Sequence, residues 1–226
     1  MGTLINKFFK SVDESVVKDE VLSFEEYLEL VKKEPWITRN SVQILHDMLL
    51  SSGVELSIVP GKPVKHRYKF FEDTDYIGKY IVFGQQKAKE NLVEKIDNAS
   101  RGGEASKRLW ILLGPPGSAK SRSMDAIKRS LNVYSKSAAG KNYHLLLPTV
   151  DEKLRDQALF EEDGVFYIIA PLLERPLQII PESNRSEVAA DLTKAIDKKS
   201  MNKFLKDHPH YDNRYTISID GLISPY

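Results

Sequence analysis

Apolar residues recur every three or four positions in several stretches of this chain, and short unbroken apolar runs separate them. Leu4, Phe8, Val12 and Val16 predict an amphipathic helix over residues 4–19. Ser23-Phe24-Glu25-Glu26 is a capping box that opens a second helix, with Tyr27, Leu28 and Val31 packing together and Pro35 ending it. A third helix is expected from Ser41 to Ser51, with Val42, Leu45, Met48 and Leu49 inward and Gly53 as its cap. Residues 54–80 read as an irregular connector around the turn Pro60-Gly61-Lys62-Pro63. The helix predicted from Gln86 to Ser100 has Leu92, Val93 and Ile96 on its apolar face and stops at Gly102-Gly103.

In the second half the runs are of strand type. Leu109 to Leu113 reads as a buried strand, followed by a helix with Met124, Ile127 and Leu131 on one face and Arg122, Lys128 and Arg129 elsewhere. Tyr143 to Leu147 is a strand closed by Pro148, Glu152 to Leu159 a helix or helical turn, and Val165 to Ile169 a strand stopped by Pro171. Ala170 to Ser183 is expected to be a long ordered loop. Asn184-Arg185-Ser186-Glu187 has capping-box spacing before a helix of Val188, Ala189, Leu192 and Ile196. Residues 198–214 read as a polar loop and Thr216 to Asp220 as a short strand. Strands that alternate with helices favour a parallel sheet covered on both faces. The expectation is a three-layer α/β core over residues 76–226, with the 109–113 strand inside its sheet, preceded by a helical N-terminal region and connector over 1–75.

The chemistry that changes this picture sits directly after Leu113. Gly114-Pro115-Pro116-Gly117-Ser118-Ala119-Lys120-Ser121 joins a strand-type run to a helix that opens on Lys-Ser, the form of a P-loop. Backbone N–H groups of such a turn, with the positive end of the helix dipole, cradle a chain of phosphates. Lys120 would neutralise the β- and γ-phosphates of ATP, and the Ser121 hydroxyl would hold the bridging Mg²⁺. Arg122 could reach a phosphate, but reads first as a solvated helix charge. The pattern departs from the full motif at Ala119, where glycine is usual, and alanine lacks the freedom of glycine at positive φ. A plain strand-to-helix turn would have the same glycines, but strand, turn, Lys-Ser and helix all occur in the order that phosphate binding requires. Upstream, Val82, Phe83 and Gly84 form the apolar-Gly entry to a helix, a place where ATPases wrap the adenine ring.

Other groups add less. Lys62, Lys65, His66, Arg67 and Lys69 interleave with Tyr68, Phe70 and Phe71, but Glu72, Asp73 and Asp75 follow at once, so a nucleic-acid contact is not expected. His46 reads as a surface or half-buried histidine. His208 and His210, with Asp207 and Asp212 nearby, read as a solvated loop, with metal binding as the alternative. The absence of cysteine excludes disulfides and thiol chemistry, and a cytoplasmic location follows. A net charge of +1 gives no reason to expect a membrane or nucleic-acid surface, and no apolar run approaches a membrane span.

The chain resembles the PrkA family, whose members carry an AAA-type ATPase domain and are described as serine protein kinases. The resemblance is carried by Phe24-Glu25-Glu26-Tyr27-Leu28, Tyr68-Lys69-Phe70-Phe71-Glu72, Phe83-Gly84-Gln85, Gly114 to Ser121, Glu174-Arg175-Pro176-Leu177-Gln178-Ile179-Ile180-Pro181 and Ile217 to Pro225. It implies ATP and Mg²⁺ as cofactors, a protein substrate, and a homo-oligomer through the AAA-type core. It also implies that the chain is cut short before the strand whose acidic end would hold Mg²⁺ and orient water. Val165 to Ile169 ends in Ala170-Pro171 without a carboxylate, and Asp220, followed by Gly221, stands in the wrong context. No catalytic residue is therefore named. The resemblance implies an ATP-binding protein of the PrkA type, with ATP hydrolysis or phosphoryl transfer to serine or threonine of a protein in the full-length family and little or no turnover by this chain; a nucleotide-binding module without turnover is the alternative reading.

Overall fold

Ser23 starts the first helix of the computed structural model, which describes residues 21–58, 60, 65–72, 84–170, 175–211, 215–219 and 221. The helix expected over 4–19, Val82, Phe83 and Asp220 lie outside the described residues. Helix α1 (Phe24–Lys33) has the capping box read from sequence: Ser23 Oγ accepts from the Glu26 N–H, and the Glu26 carboxylate accepts from Ser23 N–H at 2.9 Å. Those bonds from Ser23 hold the Glu26 carboxyl below its ordinary pKa. Pro35 opens a 3₁₀ turn, Pro35–Thr38.

Residues 1–38 and 141–226 form one compact unit and residues 39–140 another. Within the first unit, Tyr27 and Val31 of α1 share a core with Leu177, Leu192, Phe204 and Ile217 from the second half of the chain. The first unit holds a four-stranded sheet in the order β1 (Val21–Leu22), β4 (His144–Thr149), β6 (Val165–Ile169), β5 (Phe160–Glu162). Only β1 and β4 are parallel; β4–β6 and β6–β5 are antiparallel. Helices α5 (Glu182–Ala195) and α6 (Lys198–Asp207) complete the unit.

Local sequence readings fail here for identifiable reasons. Helix α5 starts at Glu182, ahead of the Asn184 capping box, because Pro181 fits the entry to a helix and the buried Arg185 is engaged elsewhere. The Arg185 guanidinium donates to the carbonyls of Ile180 (2.9 Å), Gly221 (2.6 Å) and Gln178 (3.3 Å), tying down the proline-rich segment. Residues 198–207 form α6 rather than a polar loop: Asp197 caps it through the Ser200 N–H, and Phe204 anchors it in the core. Residues 152–157 do make the expected helical turn, of 3₁₀ type, whereas residues 215–219 form no strand, although Tyr215 and Ile217 are buried.

In the second unit, α2 (Ser41–Ser51), the hairpin β2 (Val54–Ser57) with β3 (Lys65–Tyr68), α3 (Gln86–Ser100) and α4 (Lys120–Tyr134) surround a core of Met48, Leu49, Phe71, Val93, Ile96 and Ile127. Gly53, at φ +97°, turns the chain out of α2, as expected of a glycine past a helix end. The expected P-loop strand is not formed. Residues 109–115 carry no regular structure, and Leu109, Ile111 and Leu113 are 88%, 69% and 88% exposed. An apolar run becomes a strand only when neighbours take up its N–H and C=O groups. The described strands of this unit, β2 and β3, pair with each other. The described residues form a mixed α/β arrangement, and among them the run before Gly114 has no strand partner, so an inner strand within a parallel sheet is not borne out. No described helix is long and apolar enough to cross a membrane.

Candidate functional site

The turn from Gly114 to Ser121 is built by backbone conformations that few residues tolerate. A Cβ at Gly114 would lie 2.9 Å from Ser118 Oγ, so any side chain there would push the Ser118 hydroxyl out of its place. The Ser118 N–H donates to Pro115 O at 3.3 Å, and Gly117 follows at φ +76°. Ala119 takes φ 57° and ψ 17° as the N-cap of α4 without a side-chain cap bond. Its carbonyl accepts from both the N–H and the hydroxyl of Ser123, each at 2.9 Å. The departure of the motif at Ala119 therefore has a structural cost: a left-handed alanine carries strain of about 1 kcal/mol. Ala119→Gly is expected to raise the unfolding free energy in urea by about 0.5 kcal/mol, the relieved strain less the greater unfolded-state freedom of glycine.

Lys120 begins α4, and its side chain folds back over the loop. Its ammonium donates to Gly114 O at 2.7 Å, Pro115 O at 2.8 Å and Ser118 Oγ at 2.8 Å, all neutral oxygens. A full cation is thus held among dipoles at the positive end of a fifteen-residue helix whose first N–H groups have no helical acceptors. That donor set fits a chain of phosphates. Ser121 and Arg122 are exposed on the first turn of α4, where a hydroxyl fits Mg²⁺ and a guanidinium is in solvent. Gly114, Pro115, Pro116 and Gly117 are exposed, and Ser118, Ala119 and Lys120 half-buried.

Of the upstream turn, Gly84 is exposed at φ +68°. Its successor Gln85, not singled out as a site residue from the sequence, is left-handed too (φ 53°, ψ 34°) and caps α3. Gln85 Nε2 donates to Ser118 O at 2.8 Å, which brings the two motifs together. The sequence signals were its place in the Phe83-Gly84-Gln85 motif and a polar residue directly before a helix start.

The remaining candidates have structural surroundings. His46 is buried rather than at the surface, with Nε2 3.5 Å from Asp97. Tyr68, Phe70 and Phe71 lie in the core instead of offering rings to bases, while Arg67 pairs with Glu55 and Glu72 and Lys69 with Glu55. His208 and His210 are half-buried at the end of α6, not solvated. The His208 ring lies 4.6 Å from that of Phe204 and the His210 ring 4.4 Å from that of Tyr211. Strand β6 runs out at Ala170 without a carboxylate. A hollow of about 390 Å³ lies beside the unpaired run, lined by Glu94, Asn98, Arg108 and Trp110 rather than by residues 114–121.

Comparison with known proteins matches residues 22–214 to the family model described as the PrkA AAA domain. The ATP-dependent protease PrkA of Bacillus subtilis (strain 168) is 24% identical over 168 residues, 73% of this chain and 21% of that protein. An uncharacterized protein in the gldA 5′ region of Geobacillus stearothermophilus is 34% identical over 73 residues, 32% of this chain and 63% of that one. The chain thus spans about a fifth of the length of the Bacillus protein. No solved structure matches.

Proposed function

The chain belongs to the PrkA AAA domain family, and from that premise we propose that it binds ATP or ADP with Mg²⁺ at the turn from Gly114 to Ser121. The observation that carries this reading is Lys120: a cation seated on neutral oxygens at the opening of α4. The phosphates would lie against Gly114, Pro115, Pro116, Gly117, Ser118, Ala119 and Lys120, with Mg²⁺ on Ser121 and Arg122 at the rim. The adenine would meet Val82, Phe83 and Gly84.

Within the whole family protein this nucleotide would drive work on a protein, either phosphoryl transfer to serine or threonine or the ATP-dependent proteolysis that the name of the Bacillus relative states. Assembly into a homo-oligomer through the AAA-type core is part of the same reading. For the chain itself a nucleotide-binding module without turnover has specific support, since β6 ends at Ala170 with no carboxylate to hold Mg²⁺ or orient water. The test is calorimetric titration with ATP and ADP in Mg²⁺, beside an assay of phosphate release. Saturable binding with release no faster than in a Lys120→Ala control is the expected result. No binding of either nucleotide would refute the proposal, and steady release abolished by Lys120→Ala would replace the module with a working ATPase.

A further inference from the structure

Two residues that are not glycine, Gln85 and Ala119, adopt left-handed backbone at the N-caps of α3 and α4, and neither cap has a side-chain bond. Each such conformation is unfavourable, and strain of this kind collects where surrounding structure enforces a functional geometry. One bond spans the two caps across 33 residues of sequence: the Gln85 carboxamide donates to the Ser118 carbonyl at 2.8 Å. The Ser118 carbonyl and the Ala119 N–H belong to one trans peptide unit, so the two point in opposite directions. A donor that fixes the carbonyl on one side fixes the N–H on the other. Among the described residues that N–H has no acceptor.

We propose that Gln85 is a positioning residue of the phosphate site: its side-chain amide holds the Ser118–Ala119 peptide in the orientation that turns the Ala119 N–H toward a bound phosphate. The proposal rests on the nucleotide reading above and adds to it a residue that touches neither phosphate nor base. The chemistry requires a neutral donor at this position. An alanine leaves the peptide free to rotate, and a glutamate replaces the donor with a charge that repels both the Ser118 carbonyl and the phosphates. The left-handed turn at Gly84 and Gln85 aims the amide across to the loop, which ties the geometry of the phosphate cradle to that of the base-side turn.

The test uses the whole chain and inorganic tripolyphosphate with Mg²⁺ as the probe, because it has no base. Gln85→Ala is expected to weaken tripolyphosphate binding by about 3- to 10-fold, the worth of one hydrogen bond, with Gln85→Glu weaker still. In ¹⁵N-resolved NMR the Ala119 amide proton should move downfield on addition of tripolyphosphate to the parent and stay in place in Gln85→Ala. The thermal midpoint should be the same in both proteins. Undiminished binding by Gln85→Ala, a downfield move of the Ala119 amide in that variant as large as in the parent, or a fall in midpoint that accounts for the lost affinity would each overturn the proposal. Lys120→Ala separates the two failures. If it loses tripolyphosphate while Gln85→Ala does not, only the role of Gln85 falls; if Lys120→Ala binds like the parent, the phosphate site falls with it.

Discussion

Lys120→Ala is expected to weaken ATP binding by about 2–5 kcal/mol, roughly 30-fold to several thousand-fold, by analogy with the truncation of buried charge pairs. The loss has two physical parts. The ammonium that would face the β- and γ-phosphates disappears, and the carbonyls of Gly114 and Pro115, now covered by its N–H groups at 2.7 and 2.8 Å, turn bare lone pairs toward the same anions. The fold should tolerate the change, since Lys120 is half-buried and its partners lie on an exposed loop. Calorimetry should therefore show the loss at an unchanged thermal midpoint. A variant that binds ATP as tightly as the parent would remove the phosphate site from this chain altogether.

Asp47→Ala should have the largest effect on stability, about 3–5 kcal/mol, the range for removing one partner of a buried ion pair. Arg39 is 2% exposed and Asp47 3%, and the Arg39 guanidinium donates to the Asp47 carboxylate. Burial works against the charge on Arg39, but the Asp47 carboxylate and the Tyr134 hydroxyl outweigh it and raise the guanidinium above its ordinary pKa. The same guanidinium reaches Tyr134 Oη at 3.5 Å and donates to the Ala139 carbonyl. It thereby ties α2, which carries Asp47, to the C-terminal end of the helix that starts at Lys120. Without Asp47 a full charge stays buried beside neutral oxygens. Urea denaturation should show the loss, and Arg39→Met/Asp47→Leu should recover a large part of it, because replacing both partners leaves no buried charge uncompensated. Equal stability of Asp47→Ala and the parent would mean that the pair contributes nothing to the fold.

How far this protein is legible in its sequence depends on the range of the interaction that decides each feature. Ser23 and Glu26 meet within one turn, so the start of α1 follows from residues three apart. Gly53 past α2, the span Gln86–Ser100 and the helix from Lys120 follow in the same way, from periodicity and local backbone freedom. The glycines and Lys-Ser of the candidate phosphate loop are readable because a cradle of N–H groups needs those residue types in that order.

Features set by distant partners are not readable. Leu109 to Leu113 has the composition of an inner strand, yet hydrophobicity supplies only the wish for burial. The pairing that makes a strand must come from another segment, and among the described residues of 39–140 the two hairpin strands pair with each other and not with this run. Asn184 carries a capping signal that Arg185 overrides by holding carbonyls of Gln178, Ile180 and Gly221. Residues 198–207 look like a loop because charged and polar residues dominate them, yet the buried Phe204, with Met201 and Leu205 beside it, is enough to anchor a helix against the core. The sequence by itself determined the cap of α1, the faces of the helices it predicted and the residue types of the phosphate loop, since each rests on contacts within a turn or two of chain. Only the tertiary structure decided that the run before Gly114 has no strand partner among the described residues, that Arg39 and Asp47 share a buried site, and that Gln85 reaches Ser118. Each of these depends on which remote group supplies the missing hydrogen bond or charge, and no local pattern encodes that.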